Sequence, residues 1–182
     1  MKFLRSPLSD VIICEPQIHG DDRGYFFESF RQDKLEAFIG YALNFCQDNE
    51  SKSNTGVLRG LHYQLPPFEQ TKLVRVISGK VLDVVVDIRK NSSTFGKHFS
   101  IELSGKNKRQ LLVPKGFLHG YLVLEDNTIF SYKVDAYYSP EHDKGIRYND
   151  PDLNINWMLN TEDMLLSQKD KTHPLFKSLE SR

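Results

Sequence analysis

The sequence carries no excess charge of either sign. Its 182 residues include 24 Lys and Arg and 24 Asp and Glu, so the formal net charge is zero. Proteins that bind nucleic acid or anionic membranes usually carry a basic excess, because they must neutralise phosphates. No apolar run approaches the roughly 20 residues that a membrane-spanning helix needs. We therefore expect neither nucleic acid nor a membrane among the partners.

Cysteine is also scarce, with Cys14 and Cys46 as the two examples in the chain. They lie far apart and lack the short spacing of metal ligands. The first residues hold no long apolar core of the kind found in secretory signals. Two isolated thiols without such a signal favour a reducing cytoplasm and free cysteines, with a single disulfide between them as the alternative.

Linkers, repeats and low-complexity tracts are missing too, which predicts one domain over residues 1–182. Short strand-like runs recur instead at about ten-residue spacing, with turn residues between them. The runs cover residues 72–77, 81–88, 99–103, 110–113, 117–124 and 128–138. This spacing is typical of an all-β sandwich or barrel and not of βαβ units.

Helices should be few and short. One is predicted to begin at Asp33, whose side chain can cap it, and to end at Gly40. Between these residues, Leu35 and Phe38 belong to an apolar stripe with helical spacing. This helix would pack its stripe against the sheet structure.

The run 81–88 has two different faces. Asp83 and Asp87 share one face, whereas the other face is wholly apolar. We interpret the apolar face as core and the face with the carboxylates as the border of a polar cavity. Cavities in the mouths of small antiparallel barrels often hold ligands.

Polar residues concentrate around His62. Arg59 lies three residues before it, and Tyr63 and Gln64 follow directly. A lone histidine is more often a hydrogen-bonded structural residue than a catalytic one. The crowding of polar side chains in this segment favours a functional site.

His119 ends a second motif, Pro-x-Gly-x-x-His, which recurs in cupin-type β-barrels, where the histidine often binds a metal. A cupin metal site also needs a His-x-His pair, and Gln64 stands where its second histidine would be. An amide oxygen is a poor transition-metal ligand beside imidazole. His62, His119 and the remote Glu69 do not make a good set of three or four ligands. A metal-free site is therefore predicted.

A metal-free histidine can act as a general base if a carboxylate orients it and an acid lies on the far side of the substrate. Asp170 is one candidate carboxylate, with Asp83 and Asp87 as alternatives. Tyr132 is a candidate acid, although a tyrosine in a strand is more often a structural aromatic.

Residues 22–30 combine aromatic and charged side chains. They fit either an edge strand protected by charges or a surface that stacks on a flat heterocycle. Phosphate groups would be bound by basic side chains, because no standard Gly-rich phosphate loop is present. The candidates are Arg23, Arg59, Lys72 and Lys169.

Taken in order, these segments resemble the dTDP-4-dehydrorhamnose 3,5-epimerase family, a metal-free branch of the cupin superfamily. The resemblance extends from about residue 5 to about residue 175. It rests on residues 22–28, 47–49, 57–64, 72–76, 87–89, 93–96, 113–120, 132–133, 138–140 and 166–170. Each segment alone is weak evidence, but ten in sequence are specific.

The resemblance implies a cupin-type jelly-roll barrel with a few short peripheral helices, and a homodimer with strand exchange. It also implies an enzyme without cofactor or metal that epimerises a dTDP-4-keto-6-deoxyhexose at C3 and C5. The product would be dTDP-4-dehydro-L-rhamnose, an intermediate for cell-surface rhamnose such as that of O-antigen. The alternatives are a C3-only or C5-only epimerase or ketoisomerase on a related sugar, a metal-dependent cupin enzyme, and a non-catalytic barrel that binds sugar nucleotides.

The resemblance further implies roles for individual residues. His62 would be the base, oriented by Asp170, and Tyr132 would be the acid. Lys72 would hold the negative charge that develops on the C4 oxygen. The substrate-binding residues, some of them supplied by a partner subunit, would be Arg23, Phe26, Glu28, Gln47, Asn49, Arg59, His119, Tyr138, Asp143 and Lys169.

Overall fold

The computed structural model describes residues 1–180, which form thirteen short strands and four short helical segments. The strands, β1 to β13 in chain order, are Lys2–Arg5, Ile12–Glu15, Ile18–Asp21, Gly24–Phe27, Gln47–Ser53, Leu58–Gln64, Lys72–Ser78, Lys80–Asp87, His98–Ser104, Gln110–Val113, Phe117–Val123, Thr128–Val134 and Asp143–Gly145. The helical segments are α1 (Gln32–Ile39), a 3-10 helix (Thr161–Asp163), α2 (Gln168–Thr172) and α3 (Lys177–Glu180). Within residues 1–180, no helix has both the length and the apolar character needed to cross a membrane.

The strands form two antiparallel sheets and one separate hairpin. Six strands pair in the order β1-β2-β10-β7-β12-β5, five pair in the order β13-β6-β11-β8-β9, and β3 pairs with β4. Successive strands such as β7 and β8 mostly lie in opposite sheets, so the chain winds as a jelly roll and not as a series of hairpins. The predicted all-β jelly-roll barrel with short peripheral helices is confirmed.

Apolar side chains of both sheets meet between them in the main core. Val74 and Phe130 come from the six-stranded sheet, and Val85 and Tyr121 come from the five-stranded sheet. The rings of Tyr121 and Phe130 stack across the interface with centroids 3.9 Å apart. Two further cores cover the outer faces, one beneath the C-terminal segment and one beneath α1.

Strand β8 differs from its predicted environment, because both of its faces are buried. Its outer residues Leu82 and Val84 pack under the C-terminal segment, and Val85 packs between the sheets. Asp83 is fully buried beneath the cavity and bonds to His119 instead of bordering the cavity. A sequence pattern cannot report this cover, which comes from a segment distant along the chain.

Strand β12 is shorter than the predicted run 128–138. It ends at Val134, and the next residue, Asp135, bonds to Thr71 twice: its side chain accepts from the Thr71 N–H at 2.6 Å, and its own N–H donates to the Thr71 carbonyl at 3.3 Å. The aromatic residues that follow are therefore at the surface and not in the strand.

Helix α1 ends at Gly40 as predicted but does not begin with Asp33 as its cap. Arg31 occupies the cap position, and Asp33 lies in the first turn, where its carboxylate accepts from the Arg31 guanidinium at 2.8 Å. Gly40 has a φ of 85°, the left-handed conformation that commonly terminates helices. Leu35 is the buried anchor of this helix.

The C-terminal segment, residues 146–180, crosses the outer face of the five-stranded sheet. Leu165 donates to the carbonyl of Gly56 at 2.8 Å and accepts from the N–H of Leu58 at 3.0 Å. Together with the apolar contacts of the segment, these bonds bring Ser167, Lys169 and Asp170 to the cavity between the sheets.

Candidate active site

A bulge between β6 and β11 turns Arg59 and His62 toward the same side. In a regular strand, residues three apart point to opposite faces. The pairing of these strands shifts register between His119 and Tyr121, so that two residues of β6 face Gly120 alone. As a result, both Arg59 and His62 line the cavity between the sheets.

The bulge depends on glycine in both strands. Gly60 has a φ of 139°, and a Cβ at this position would lie 2.6 Å from the Cα of Gly120. A Cβ on Gly120 would lie 2.9 Å from the carbonyl oxygen of Arg59. Backbones this close leave no room for a side chain on either strand.

Gly60→Ala should lower the free energy of unfolding by about 3 kcal/mol, because it adds backbone strain and a steric clash. Urea unfolding followed by circular dichroism measures this loss. Gly40→Ala is the matched control, since Gly40 also has a positive φ but has open space around it. This control should lose only about 1 kcal/mol. Equal losses would show that the close approach of the strands is not what requires glycine.

The cavity between the sheets has a volume of about 450 Å³ and collects most of the predicted site residues. Those that line it are His62, Lys72, Tyr132, Asp170, Asn49, Arg59, His119, Asp143 and Lys169. The wall also includes residues that were not singled out in the sequence: Glu50, Ser51, Tyr121, Phe130 and Ser167. The cavity therefore combines cations, carboxylates and two histidines with an aromatic floor.

His62 and Asp170 form a hydrogen-bonded pair at one wall of the cavity. Nε2 of His62 lies 2.5 Å from Oδ1 of Asp170, and Ser167 donates to Oδ2 of the same carboxylate at 2.9 Å. Burial acts to raise the pKa of Asp170, but the hydrogen bonds and nearby histidines outweigh burial and hold this pKa below its ordinary value. Because the ionised carboxylate holds the proton on Nε2, Nδ1 of His62 carries the lone pair that can accept another.

The two alternative carboxylates bind other partners. Both oxygens of Asp83 lie within 3.1 Å of Nε2 of His119. Burial raises the pKa of Asp83, against the opposing charges of His119 and Lys72. Asp87 pairs with Arg89 at 2.7 Å. Asp170 is therefore the carboxylate that the fold places beside His62, whereas Asp83 and Asp87 bind elsewhere.

Lys72 reaches the cavity from β7, in the sheet opposite the one that carries His62. Burial lowers the pKa of Lys72 to about 8, although the charges of Asp143 and Asp83 act in the opposite direction. A desolvated ammonium group interacts strongly with negative charge that develops nearby, because little water screens it.

The pH dependence of kcat/KM should show a falling limb near pH 8, because Lys72 is a cation only below its pKa of about 8. A rate profile from about pH 6 to about pH 10 measures this limb. The Lys72→Arg variant should have a lower kcat/KM. Its pH profile should also lack the falling limb, since a guanidinium stays protonated throughout that range. A limb that remains near pH 8 in the variant would assign it to another group.

Tyr132 lines the cavity from β12 of the six-stranded sheet, opposite the sheet of His62. Burial raises the pKa of its phenol, and the positive charge of Arg59 opposes that shift. The hydroxyl therefore keeps its proton at neutral pH and can donate it.

The rim of the cavity is a set of hydrogen bonds among predicted residues. Asp143 accepts from the hydroxyl of Tyr138 at 2.9 Å and from the ammonium of Lys169 at 2.5 Å. Gln47 donates to the side chain of Asn49 at 2.8 Å and accepts from the N–H of Tyr138 at 3.3 Å. Gln47 and Tyr138 do not line the cavity themselves but bind residues that do.

Arg23, Phe26 and Glu28 lie outside this cavity, on or beside the β3–β4 hairpin. Arg23 pairs with Asp21, and Glu28 lies 3.7 Å from the guanidinium of Arg31. Phe26 is 73% exposed, which is unusual for so large an apolar ring. The fold does not bring these three residues to the cavity of their own chain.

Gln64 stands where a cupin metal site would have its second histidine, and its side chain forms hydrogen bonds to the backbone. Its amide donates to the carbonyl of Phe68 at 2.6 Å and accepts from the N–H of Ser139 at 2.7 Å. The side chain is buried, and its amide serves two loops instead of the cavity.

The sequence analysis did not identify two residues that lie beside His62 or its partner Asp170. Ser167 caps α2 and accepts from the N–H of Asp170 at 3.1 Å. His173 lies at the end of that helix, with its ring centroid 5.5 Å from that of His62. The spacing Ser-x-x-Asp-x-x-His is a helix-cap and helix-face pattern that could have identified both.

Known proteins resemble this chain over almost its whole length. A family model described as dTDP-4-dehydrorhamnose 3,5-epimerase matches residues 5–178. The dTDP-4-dehydrorhamnose 3,5-epimerase of Escherichia coli (strain K12) is 50% identical over 171 residues, which are 94% of this chain and 92% of that protein.

Solved structures give the same result. The dTDP-6-deoxy-D-glucose-3,5-epimerase of Legionella pneumophila Philadelphia 1, in complex with dTDP-4-keto-L-rhamnose, has a TM-score of 0.92 and 46% identity, covering 97% of this chain and 93% of that one. A 3'-monoepimerase of Streptomyces bikiniensis, in complex with dTDP-quinovose, has a TM-score of 0.87 and 32% identity, covering 95% and 87%. The chain therefore belongs to the dTDP-4-dehydrorhamnose 3,5-epimerase family, isomerases that act on a nucleotide-linked carbohydrate.

Proposed function

We propose that the chain inverts C3 and C5 of dTDP-4-dehydro-6-deoxy-D-glucose and forms dTDP-4-dehydro-L-rhamnose, without a metal or other cofactor. Membership of the family supports this reaction. The observation that carries the mechanism is the position of His62 and Tyr132 on opposite walls of one cavity. An inversion needs a base and an acid on opposite faces of the sugar, because a single base would return the proton to the face it came from.

Proton removal begins at a carbon next to the C4 ketone. Nδ1 of His62 takes the proton, the C–H electrons form a C–C double bond, and the C4 oxygen becomes an enolate oxygen. Lys72 stabilises that charge as it develops. Asp170 orients the imidazole and stabilises the imidazolium that forms.

Reprotonation completes the inversion. The hydroxyl of Tyr132 gives its proton to the carbon from the face opposite His62, and the C4 carbonyl forms again. The remaining phenolate and imidazolium return to their starting states by proton exchange with solvent. The same cycle at the second carbon gives the double epimerisation.

Binding of the dTDP group needs more than this single chain brings to the cavity. Arg59 and Lys169 offer cationic groups for the diphosphate. Phe26 and Glu28, which we expect to meet the thymine together with Tyr138, lie elsewhere. In the homodimer that we propose, the β3–β4 hairpin of each subunit reaches the cavity of its partner. The exposed ring of Phe26 supports this arrangement, because large exposed apolar groups often mark interfaces.

A cytoplasmic location is part of the same proposal. Cys14 and Cys46 are both free, the first buried and the second exposed. Unpaired thiols are typical of proteins from reducing compartments.

Proton NMR in D2O tests the reaction directly. Full-length protein and dTDP-4-dehydro-6-deoxy-D-glucose are mixed without added metal or cofactor, and a downstream reductase traps the product. Deuterium at both C3 and C5, with an L-configured trapped sugar, is the expected result. A folded protein that binds dTDP but catalyses no exchange would overturn the proposal in favour of a binding module.

A single epimerisation is the second candidate function. This candidate is supported by the similarity to a 3'-monoepimerase, which is 32% identical to the chain and shares its fold with a TM-score of 0.87. Deuterium at one carbon only in the same NMR experiment would select this candidate. One inversion needs the same base and acid as two, so the placement of Tyr132 opposite His62 serves either reaction, and it is the similarity to 3,5-epimerases that favours the double one.

A further inference from the structure

A second histidine, His173, faces the carboxylate that orients His62. Its Nε2 lies 3.5 Å from Oδ1 of Asp170, the same oxygen that is 2.5 Å from Nε2 of His62. The two imidazole rings meet edge to face, with an interplanar angle of 76°. The epimerisation described above assigns no role to His173.

Nε2 of His173 is buried and unsatisfied. The residue is 7% exposed, and among residues 1–180 this nitrogen has no hydrogen-bond partner. Gly145 packs so closely that a Cβ there would collide with the same nitrogen. A neutral imidazole has a lone pair on one of its two ring nitrogens, which a metal ion can use. A buried polar atom without a partner is unusual in a native fold and needs a physical explanation, of which a bound ion is one.

We infer that His62, Asp170 and His173 form an inhibitory site for a divalent transition-metal ion, with Zn²⁺ as the best match. Two imidazoles and one carboxylate are a ligand set that Zn²⁺ favours, and a water molecule would complete the tetrahedron. Within the described part of the chain, these three side chains are the ones whose potential ligand atoms converge. The site is built into the catalytic pair itself.

The geometry needs only small movements to hold the ion. The three ligand atoms lie within 4.8 Å of one another. Tetrahedral ligands about 2.0 Å from Zn²⁺ are roughly 3.3 Å apart, close to the 3.5 Å between His173 and Asp170. The His62 nitrogen must move away from Asp170 and toward His173. Its side chain is 30% exposed on the cavity side, which gives the ring room to tilt and gives the ion a path of entry.

Metal at this position would stop the reaction through the tautomer of His62, an effect that rests on the proposed role of His62 as the base. The ion binds Nε2 and displaces its hydrogen, and the neutral ring then carries its proton on Nδ1. No proton is gained or lost by the ring in this change. Nδ1 no longer has the lone pair that accepts the proton of the substrate, so abstraction cannot begin.

The test uses full-length protein freed of metal with a chelator. Zn²⁺ binding is measured by calorimetry, and Co²⁺ is added separately because its visible absorption reports tetrahedral coordination. We expect one Zn²⁺ per chain, a tetrahedral Co²⁺ spectrum, and loss of solvent deuterium exchange at C3 and C5 that a chelator reverses. These binding measurements do not require turnover, so they stand even if the assigned reaction is wrong.

Variants locate the site. His173→Asn should weaken Zn²⁺ binding by more than about 100-fold, since loss of a direct ligand exceeds the effect of losing a supporting residue. His173→Cys restores a zinc ligand without an imidazole and should recover tight binding, which keeps the test valid if the asparagine variant folds poorly. His142→Gln is the matched control, because this histidine bonds to Ser139 and is not one of the three converging ligands.

Two outcomes would overturn the inference. Equal Zn²⁺ affinity in the wild type and His173→Asn would show that the ion binds elsewhere. Stoichiometric Zn²⁺ binding with undiminished deuterium exchange would overturn the inhibitory role and, with it, Nδ1 of His62 as the acceptor of the substrate proton.

Discussion

His62→Asn should slow the incorporation of solvent deuterium at C3 and C5 by at least about 10³-fold, the scale of losing a positioned general base. The amide of asparagine ends near the position of Nδ1 and does not extend to Asp170 as Nε2 of His62 does. It has no basic lone pair, so the substrate proton has no acceptor. Proton NMR in D2O measures the exchange, and circular dichroism verifies the fold.

A matched substitution separates the loss of the base from the loss of any histidine. His142 is also partly buried, but it bonds to Ser139 at 2.8 Å and does not line the cavity. His142→Asn should exchange deuterium at the wild-type rate. If His62→Asn retained near-native exchange, a different residue would have to be the base.

Tyr132→Phe should uncouple exchange from inversion. The ring remains but the hydroxyl is lost, so His62 can still remove a proton and return a deuteron to the same face. Exchange should therefore continue, while formation of inverted product falls by about 10²-fold to 10⁴-fold. The ratio of deuterium incorporated to L-configured sugar trapped by a reductase measures the uncoupling.

Tyr121→Phe is the control for this experiment. Tyr121 also lines the cavity, but from the sheet of His62, and its hydroxyl is 2.8 Å from that of Ser51. Its removal should leave the ratio of exchange to inversion unchanged. A normal ratio in Tyr132→Phe would show that another group protonates the second face.

The strands were predictable from the sequence because their signal is local. Alternating apolar residues and turn residues mark strands such as β10, whose predicted and observed limits agree at residues 110–113. The environment of β8 was not predictable in the same way. Leu82 and Asp83 are both buried, because one faces the C-terminal segment and the other lies under His119, and both partners are distant in sequence.

The candidate site, like the fold, was predictable only in part. Local motifs and the family resemblance indicated the residue types, and the fold brings most of them to one cavity. Local chemistry alone left Asp83, Asp87 and Asp170 as equal partners for His62, since only tertiary structure decides which carboxylate is near. The helical spacing of Asp170 and His173 was a local signal, but the approach of His173 to His62 arises only when the C-terminal segment folds onto the sheet.

The stacked rings of Tyr121 and Phe130 join the sheet of the base to the sheet of the acid, with centroids 3.9 Å apart. Because both rings also line the cavity, we expect their bulk to set the distance between the two sheets at its floor. A thinner or thicker pair of side chains here would admit a sugar of different bulk while His62 and Tyr132 stayed as they are. Substitutions at these two core positions can therefore change which sugars bind while the residues that transfer protons stay the same.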